Sequence, residues 1–433
     1  MMARPVAQPA EIPSQVWRGT RTLLVTRALR QVAFGCMAVI LPIYWHEEGL
    51  SVPVIGLLFT LALLGSSTLT VLLARFVDRV GRRRLLLLAS ALWCGTALLL
   101  FSRQPAWLAI LALFGPISPS GKEVGLFLSV EQAVLARLYA GQSRVNAYAW
   151  FNLIGYTSAA TGALVASIVG LAHAGTNGID IFHAAVIGYA AVGIVQLLLY
   201  ASLPAAVEAE RPVPSEHREG SESDAATPGI PSELTRYRPD LHTRRLVYNL
   251  SGLFMMDALG AGFIVQGLLV SWFQVKFGFD LTELGLIFFG TNLLSGLSSL
   301  AAARLAKSFG LLNTMVFTHL PSNILLILVP LMPTPWLAVA VLLMRHLLSQ
   351  MDVPTRQAYT MAMVGPADRA YMSAWTNGVR HYGTGMAPLF TGAMLALSAT
   401  GLPFFIAGGL KCVYDILLYA MFRRTPLEHS HQR

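Results

Sequence analysis

Residues 74–84 read Ala74-Arg75-Phe76-Val77-Asp78-Arg79-Val80-Gly81-Arg82-Arg83-Arg84, a compact basic loop between two long apolar runs. A related stretch, Ala303-Arg304-Leu305-Ala306-Lys307-Ser308-Phe309-Gly310, follows another apolar run 229 residues later. Two further registers agree. Glu131-Gln132-Ala133 aligns with Arg356-Gln357-Ala358 at an offset of 225, which also pairs Arg144 with Arg369, Trp150 with Trp375 and Asn152 with Asn377. Gly35 and Trp45 pair with Gly262 and Trp272 at 227. Three nearly equal offsets in apolar sequence point to a duplicated half.

The runs around these motifs are long enough to cross a bilayer, which takes about 20 helical residues at about 1.5 Å each. Twelve candidate spans meet that length: 23–45, 53–74, 85–102, 106–136, 145–172, 182–203, 246–272, 284–303, 313–333, 336–363, 371–398 and 402–422. Hydrophobic residues make up 55% of the 433, and charged residues 12%. A soluble domain carries about 25% charged residues, so this supply cannot clothe a water-facing surface. Soluble enzyme classes are thereby excluded. Helices satisfy their own backbone in lipid, and the alternating pattern of a membrane barrel is absent. Residues 1–21 are polar and Pro-rich before a full-length first run, so no cleavable signal peptide is expected.

Residues 205–245 form a long polar stretch rich in Pro, Ser, Glu and Arg, which reads as a flexible linker. The expected organisation is a tail (1–22), a six-helix bundle (23–204), the linker (205–245), a second six-helix bundle (246–422) and a tail (423–433). With six spans per half, equivalent helices share direction. The repeats are then parallel about an axis along the membrane normal.

The net charge of +9 has a membrane explanation. Most Lys and Arg outside the spans lie in the tails, the linker and the loops on the N-terminal side, whereas the opposite loops hold only Arg103 and Lys276. The positive-inside rule places both termini in the cytoplasm, in a plasma or inner membrane, and no nucleic-acid partner is needed.

The loop at 74–84 resembles the major facilitator superfamily signature Gly-x-Leu-Ala-Asp-Arg-x-Gly-Arg-Arg, with Ala74 replacing the first Gly. The resemblance covers all twelve spans. It implies an all-α polytopic fold of two parallel six-helix repeats, and a secondary transporter rather than an enzyme. It also implies a gating loop of Asp78, Arg79, Gly81, Arg82 and Arg83, with Asp78 meeting the N-terminal end of span 11. Negative charge is favourable at a helix N-terminus; the alternative is that the arginines only anchor topology. Two family features depart. No arginine signature of family exporters is recognisable in span 4. The antiporter signature of span 5 reads Gly155-Tyr156-Thr157-Ser158-Ala159-Ala160-Thr161-Gly162, without its proline. Both departures weigh against drug/proton antiport.

Charges inside a span cost about 2.5–3.5 kcal/mol on insertion scales, so each is a candidate functional group. The interior holds Arg27, Arg30, Lys122, Arg345, Arg356, Arg380 and Lys411 against Glu123, Glu131, Asp257, Asp352 and Asp415. Nine of these twelve fall on spans 1, 4, 7 and 10, which line the central cavity in the family that the chain resembles. Depth along the spans matches Arg30 with Glu131, and Asp257 with Arg356. The expectation is two related, sign-swapped ion pairs, acting as clamps or as transport residues.

Span 4 is interrupted by Gly115-Pro116-Ile117-Ser118-Pro119-Ser120-Gly121-Lys122-Glu123. Two prolines remove helix hydrogen bonds, and broken helices expose backbone to substrate in transporters. The run resembles a phosphate-binding loop, but its spacing is one residue too long and Glu123 stands where Ser or Thr belongs. At the matching level of span 10 stand Arg345 and His346. Lys122, Glu123, Arg345 and His346 are therefore the central substrate and coupling candidates, with Glu123 the preferred proton carrier and Asp257 the second. Met351-Asp352-Val353-Pro354-Thr355-Arg356 marks another polar kink. Lys411 and Asp415, four residues apart, read as a helix-surface pair. Trp272 and Phe273 could line a cavity, but such aromatics more often form an interfacial belt.

No metal-ligand spacing, nucleophile cluster or nucleotide-binding domain appears, so neither cofactor nor metal is expected. The chain reads as a monomeric, proton-coupled secondary transporter of a small molecule, anionic or zwitterionic, leaning to efflux. An anion–proton uptake symporter is the alternative, and a membrane sensor or membrane-embedded enzyme the reading from another class.

Overall fold

The computed structural model describes residues 14–74, 80–101, 104–122, 125–139, 141–173, 179–204, 239–365, 368–397 and 401–425. The N-terminal half contributes α1 (Ser14–Glu47), α2 (Val52–Ala74), α3 (Arg82–Leu99), α4 (Pro105–Phe114), α5 (Leu126–Leu138), α6 (Gly141–His173) and α7 (Ile179–Ala201). The C-terminal half contributes α8 (Leu241–Phe263), α9 (Gln266–Phe277), α10 (Leu281–Phe309), α11 (Leu311–Leu328), α12 (Pro335–Ser349), α13 (Asp352–Ala362), α14 (Arg369–Ala396) and α15 (Leu402–Phe422). Nine stretches among the described residues are long and apolar enough to cross a membrane. The other three expected spans fall on α3, on α4 with α5, and on α14.

Spans 4, 7 and 10 are each two helices end to end. Proline explains the first break: Pro116 and Pro119 cannot donate, and Gly121 and Gly125 take φ of 64° and 120° where the chain turns. The third break falls at Gln350-Met351, and Pro354 sits in the first turn of α13, where its missing N–H goes unneeded. The second break, at Ile264-Val265, was not expected. Ile264 closes a tight turn onto the Ala261 carbonyl, and the Phe263 carbonyl is taken by Thr391 Oγ1 at 2.9 Å. The first two breaks meet across the molecule, where Gly267 N–H donates to the Pro119 carbonyl at 2.9 Å.

The duplication is visible as packing. A Cβ on Gly35 would overlap the carbonyl of Ala159 on α6, and one on Gly262 would overlap that of Thr384 on α14. Ala159 and Thr384 are 225 residues apart, in the register read above. A second related pair joins the halves. Gly56 on α2 lies against the Pro388 carbonyl and Gly392 on α14, and Gly285 on α10 lies against Ser167 on α6. Thr60 Oγ1 accepts the Leu389 N–H at 2.9 Å, and Ser167 Oγ donates to the Thr282 carbonyl at 2.9 Å. These contacts lie at the helix ends remote from Ser14.

Trp272 and Phe273 do not form an interfacial belt. They are fully buried against Phe277, Phe279 and Phe404, because the break before α9 turns this short helix into the core.

Candidate substrate and ion pathway

In the N-terminal half, Arg30 on α1 and Glu131 on α5 are both fully buried, with Arg30 Nη2 2.6 Å from Glu131 Oε2. Arg30 Nη1 also donates to Tyr200 Oη (2.8 Å) and Gln196 Oε1 (3.1 Å) on α7. Tyr200 and Thr26 hydroxyls donate to Glu131 Oε1 at 2.6 and 3.2 Å. Phe127 lies under the guanidinium, 4.5 Å from its ring centre. Such a pair is stable in lipid only when its remaining lone pairs and protons are occupied, as they are here. Arg27 lies over the Phe151 ring, 3.7 Å from its centre, and donates to the Phe151 carbonyl at 2.8 Å. Gly155 leaves room for that guanidinium.

The C-terminal half is more crowded. Asp257 on α8 is buried, and Lys411 on α15 reaches Oδ1 at 2.5 Å. Arg380 on α14 and Arg356 on α13 reach Oδ2 at 2.7 and 3.5 Å. Arg356 also pairs with Asp352 one turn earlier. His319 on α11 bridges the network: its Nε2 is 3.8 Å from Asp257, and its Nδ1 is 3.0 Å from Asp415 Oδ1 on α15. Asn323 donates to Asp415 Oδ2 at 2.9 Å.

The simple sign-swapped pair therefore describes only the first half. Asp257 does contact Arg356, but it holds Lys411 and Arg380 more closely. The surface-pair reading of Lys411 and Asp415 is corrected. Both are buried, and instead of pairing with each other they reach across to Asp257 and His319. The i,i+4 spacing put them on one face of α15; that face looks inward.

Between the halves, Lys122 Nζ donates to Gln350 Oε1 at 3.1 Å and lies 5.5 Å from the Tyr156 ring centre. Tyr156 Oη donates to the same Gln350 oxygen at 3.3 Å. Arg345 is buried, with Nη1 3.4 Å from His346 Nε2. His346 Nδ1 faces the Leu342 carbonyl at 2.8 Å, and a carbonyl only accepts, so Nδ1 carries the proton and Nε2 is the acceptor. Glu123 lies outside the described residues.

Of the signature loop, Asp78 and Arg79 also lie outside the described residues. Gly81 has φ of 94°, a conformation suited to glycine, just before α3. Arg83 donates to the carbonyl of Ala201 at the end of α7. Arg82 begins α3.

Residues 23–345 match the family model of the Major Facilitator Superfamily. This chain belongs to that superfamily. It is an all-α, multi-pass membrane protein and a secondary transporter of a small molecule, not an enzyme. Among curated proteins it is 27% identical, over 94% of each chain, to an uncharacterised membrane protein of Saccharomyces cerevisiae. Solved structures share the fold at low identity. A variant of the nucleoside transporter NupG matches with a TM-score of 0.71 and 13% identity, covering 93% of this chain and 99% of that one. The D-xylose–proton symporter gives 0.70 and 13%, over 94% and 98%. The human organic anion transporter MFSD10 gives 0.64 and 16%, over 95% and 100%.

Counting formal charges within this major facilitator missed uncharged site residues, among them Asn323 and Gln350. His319, Tyr156, Gln196 and Tyr200 sit on spans with no interior Lys, Arg, Asp or Glu, yet they complete the networks. A lone His in the apolar run 311–328 was the available signal for the first.

Proposed function

We propose that this major facilitator is a proton-coupled transporter in which the two halves rock about the Lys122–Gln350 level by alternating access. The observation that carries the reading is the titratable network around Asp257. Ionised, that one carboxylate ties α8 to α13, α14 and α15 through three cations. A proton arriving at Asp257 as its cations are displaced would weaken all three ties at once, loosening the packing inside the C-terminal half. His319, between Asp257 and Asp415, offers a route for that proton. Arg30 and Glu131 act in the other half as a clamp with its own counter-charge.

The positive-inside asymmetry supports cytoplasmic termini in a plasma or inner membrane, with a single chain as the working unit. The signature loop favours efflux. One observation favours the second reading, symport of an anion with a proton: the excess positive charge of Lys122 and Arg345 at the centre.

The test is flux in proteoliposomes of the full chain, under an imposed pH gradient, against a panel of small anions, zwitterions and neutral solutes. Gradient-sensitive flux supports the reading, and its direction relative to the proton separates antiport from symport. Gradient-insensitive behaviour across the panel contradicts coupling.

A further inference from the structure

The interior charges do not all find partners. Asp257, Asp352 and Asp415 are set against Arg356, Arg380 and Lys411, and Glu131 against Arg30. Arg27 packs on Phe151 and donates to its carbonyl; of the two cations that remain, Lys122 and Arg345, neither has a carboxylate within ion-pair distance among the described residues. Lys122 Nζ has the neutral amide oxygen of Gln350 and the face of Tyr156. Arg345 is buried with its Nε unpartnered, and its one side-chain neighbour is the neutral acceptor edge of His346. The two cations lie within electrostatic reach of each other, so they repel. Asp257 and Asp352 are within the same reach of Arg345, but both are held in contact by other cations, Asp257 by Lys411 and Arg380 and Asp352 by Arg356.

A buried cation without a counter-charge is strongly unfavourable in a low-dielectric interior. Arg345 is buried and Lys122 half-buried, and together, on broken spans 10 and 4 of the two halves, they describe a site whose counter-charge comes from outside. We infer that the central site binds a small anion, its negative group held between Lys122 Nζ and the free edge of the Arg345 guanidinium. Tyr156 and Gln350 supply an aromatic face and an amide beside it. A carboxylate, phosphate or sulfate group satisfies this chemistry, whether on an organic molecule or as the free inorganic ion. A guanidinium edge pairs with two oxygens of such a group, and the ammonium acts as a point charge. Because the anion touches both halves, it draws them together around itself.

The inference rests on the transporter reading and adds the substrate class. Protonation of Asp257 adds one positive charge close to this site, and an anion adds one negative. Each favours the other, so proton and anion travel together.

The test is binding by the purified full chain in detergent, where no gradient is present. Thermal unfolding is followed with benzoate, succinate, inorganic phosphate and inorganic sulfate, with benzamide as the neutral match to benzoate. At least one anion should raise the melting temperature of the wild type, and benzamide should not. Succinate or benzoate acting without phosphate and sulfate marks an organic substrate, and the reverse an inorganic one. Lys122→Gln and Arg345→Gln should each weaken that binding about tenfold or more, and Arg345→Lys less. Without ligand, Lys122→Gln and Arg345→Gln should melt above the wild type, because each removes the repulsion, which also shows that they fold. The inference is overturned by benzamide acting as well as benzoate, by an anion effect that survives both substitutions, or by no effect from any of the four anions. A wild type that binds anions yet shows no pH-driven flux would contradict proton coupling and leave this site standing.

Discussion

Lys411 Nζ lies 2.5 Å from Asp257 Oδ1, joining α15 to α8 through a buried ion pair that spans 154 residues of sequence. Removing one partner of such a pair costs about 3–5 kcal/mol, because the other charge stays buried. Asp257→Asn strips the shared partner from three cations, whereas Lys411→Gln leaves Asp257 with Arg380 and Arg356. Thermal unfolding of the full chain in detergent should therefore show a larger loss for Asp257→Asn than for Lys411→Gln. Equal losses would mean that Lys411 alone carries the network.

Arg30 and Glu131 make the converse prediction. Each single substitution, Arg30→Met or Glu131→Met, should cost about 3–5 kcal/mol. The double substitution should recover most of that loss, since no charge remains buried. Tyr200→Phe removes a neutral donor to Glu131 and should cost about 1 kcal/mol. A double-mutant cycle on unfolding measures the coupling, and purely additive losses would show that the two side chains do not act as a pair.

Gly285 on α10 has room for no side chain beside Ser167, and Gly56 has none beside Gly392. Overpacking such a contact costs about 1–3 kcal/mol, less than unfolding the protein. Gly285→Val should therefore keep the fold but prevent this close approach of the halves. Hydrogen–deuterium exchange should rise at 163–171 and 281–289, the two sides of that contact, and flux should fall sharply. Unchanged exchange there would show that the halves do not depend on this contact.

The topology is testable in cells. With Cys36, Cys94 and Cys412 replaced by Ala, a membrane-impermeant maleimide should label Gln104→Cys in intact cells. Ser221→Cys in the linker should label only after permeabilisation. The reverse pattern would invert the orientation read from the basic loops.

The sequence carried the architecture because its signals are periodic and local. Apolar run length gave the spans, three offsets gave the repeat, and Pro116 and Pro119 gave the break in span 4. The pairing of Arg30 with Glu131 was legible because Glu131 is the one interior carboxylate at that depth in its half, and the repeat matches Arg30 with Asp257 and Glu131 with Arg356. The network around Asp257 was not. Lys411 and Asp415 looked self-sufficient at four residues apart, and only the packing of α15 on α8 and α11 shows that their shared face is interior. His319 and Tyr200 are neither Lys, Arg, Asp nor Glu, so a census of charges passes over them. The break at Ile264-Val265 has no proline to announce it; Thr391, more than a hundred residues on, completes it.

In the function proposed here, a proton bound at Asp257 drives transport. In proteoliposomes, wild-type protein should both accumulate its anion under an imposed pH gradient and exchange labelled for unlabelled anion without one. Asp257→Asn, fixed in the neutral state, should lose gradient-driven accumulation and retain exchange. Accumulation by Asp257→Asn equal to that of the wild type would contradict the account.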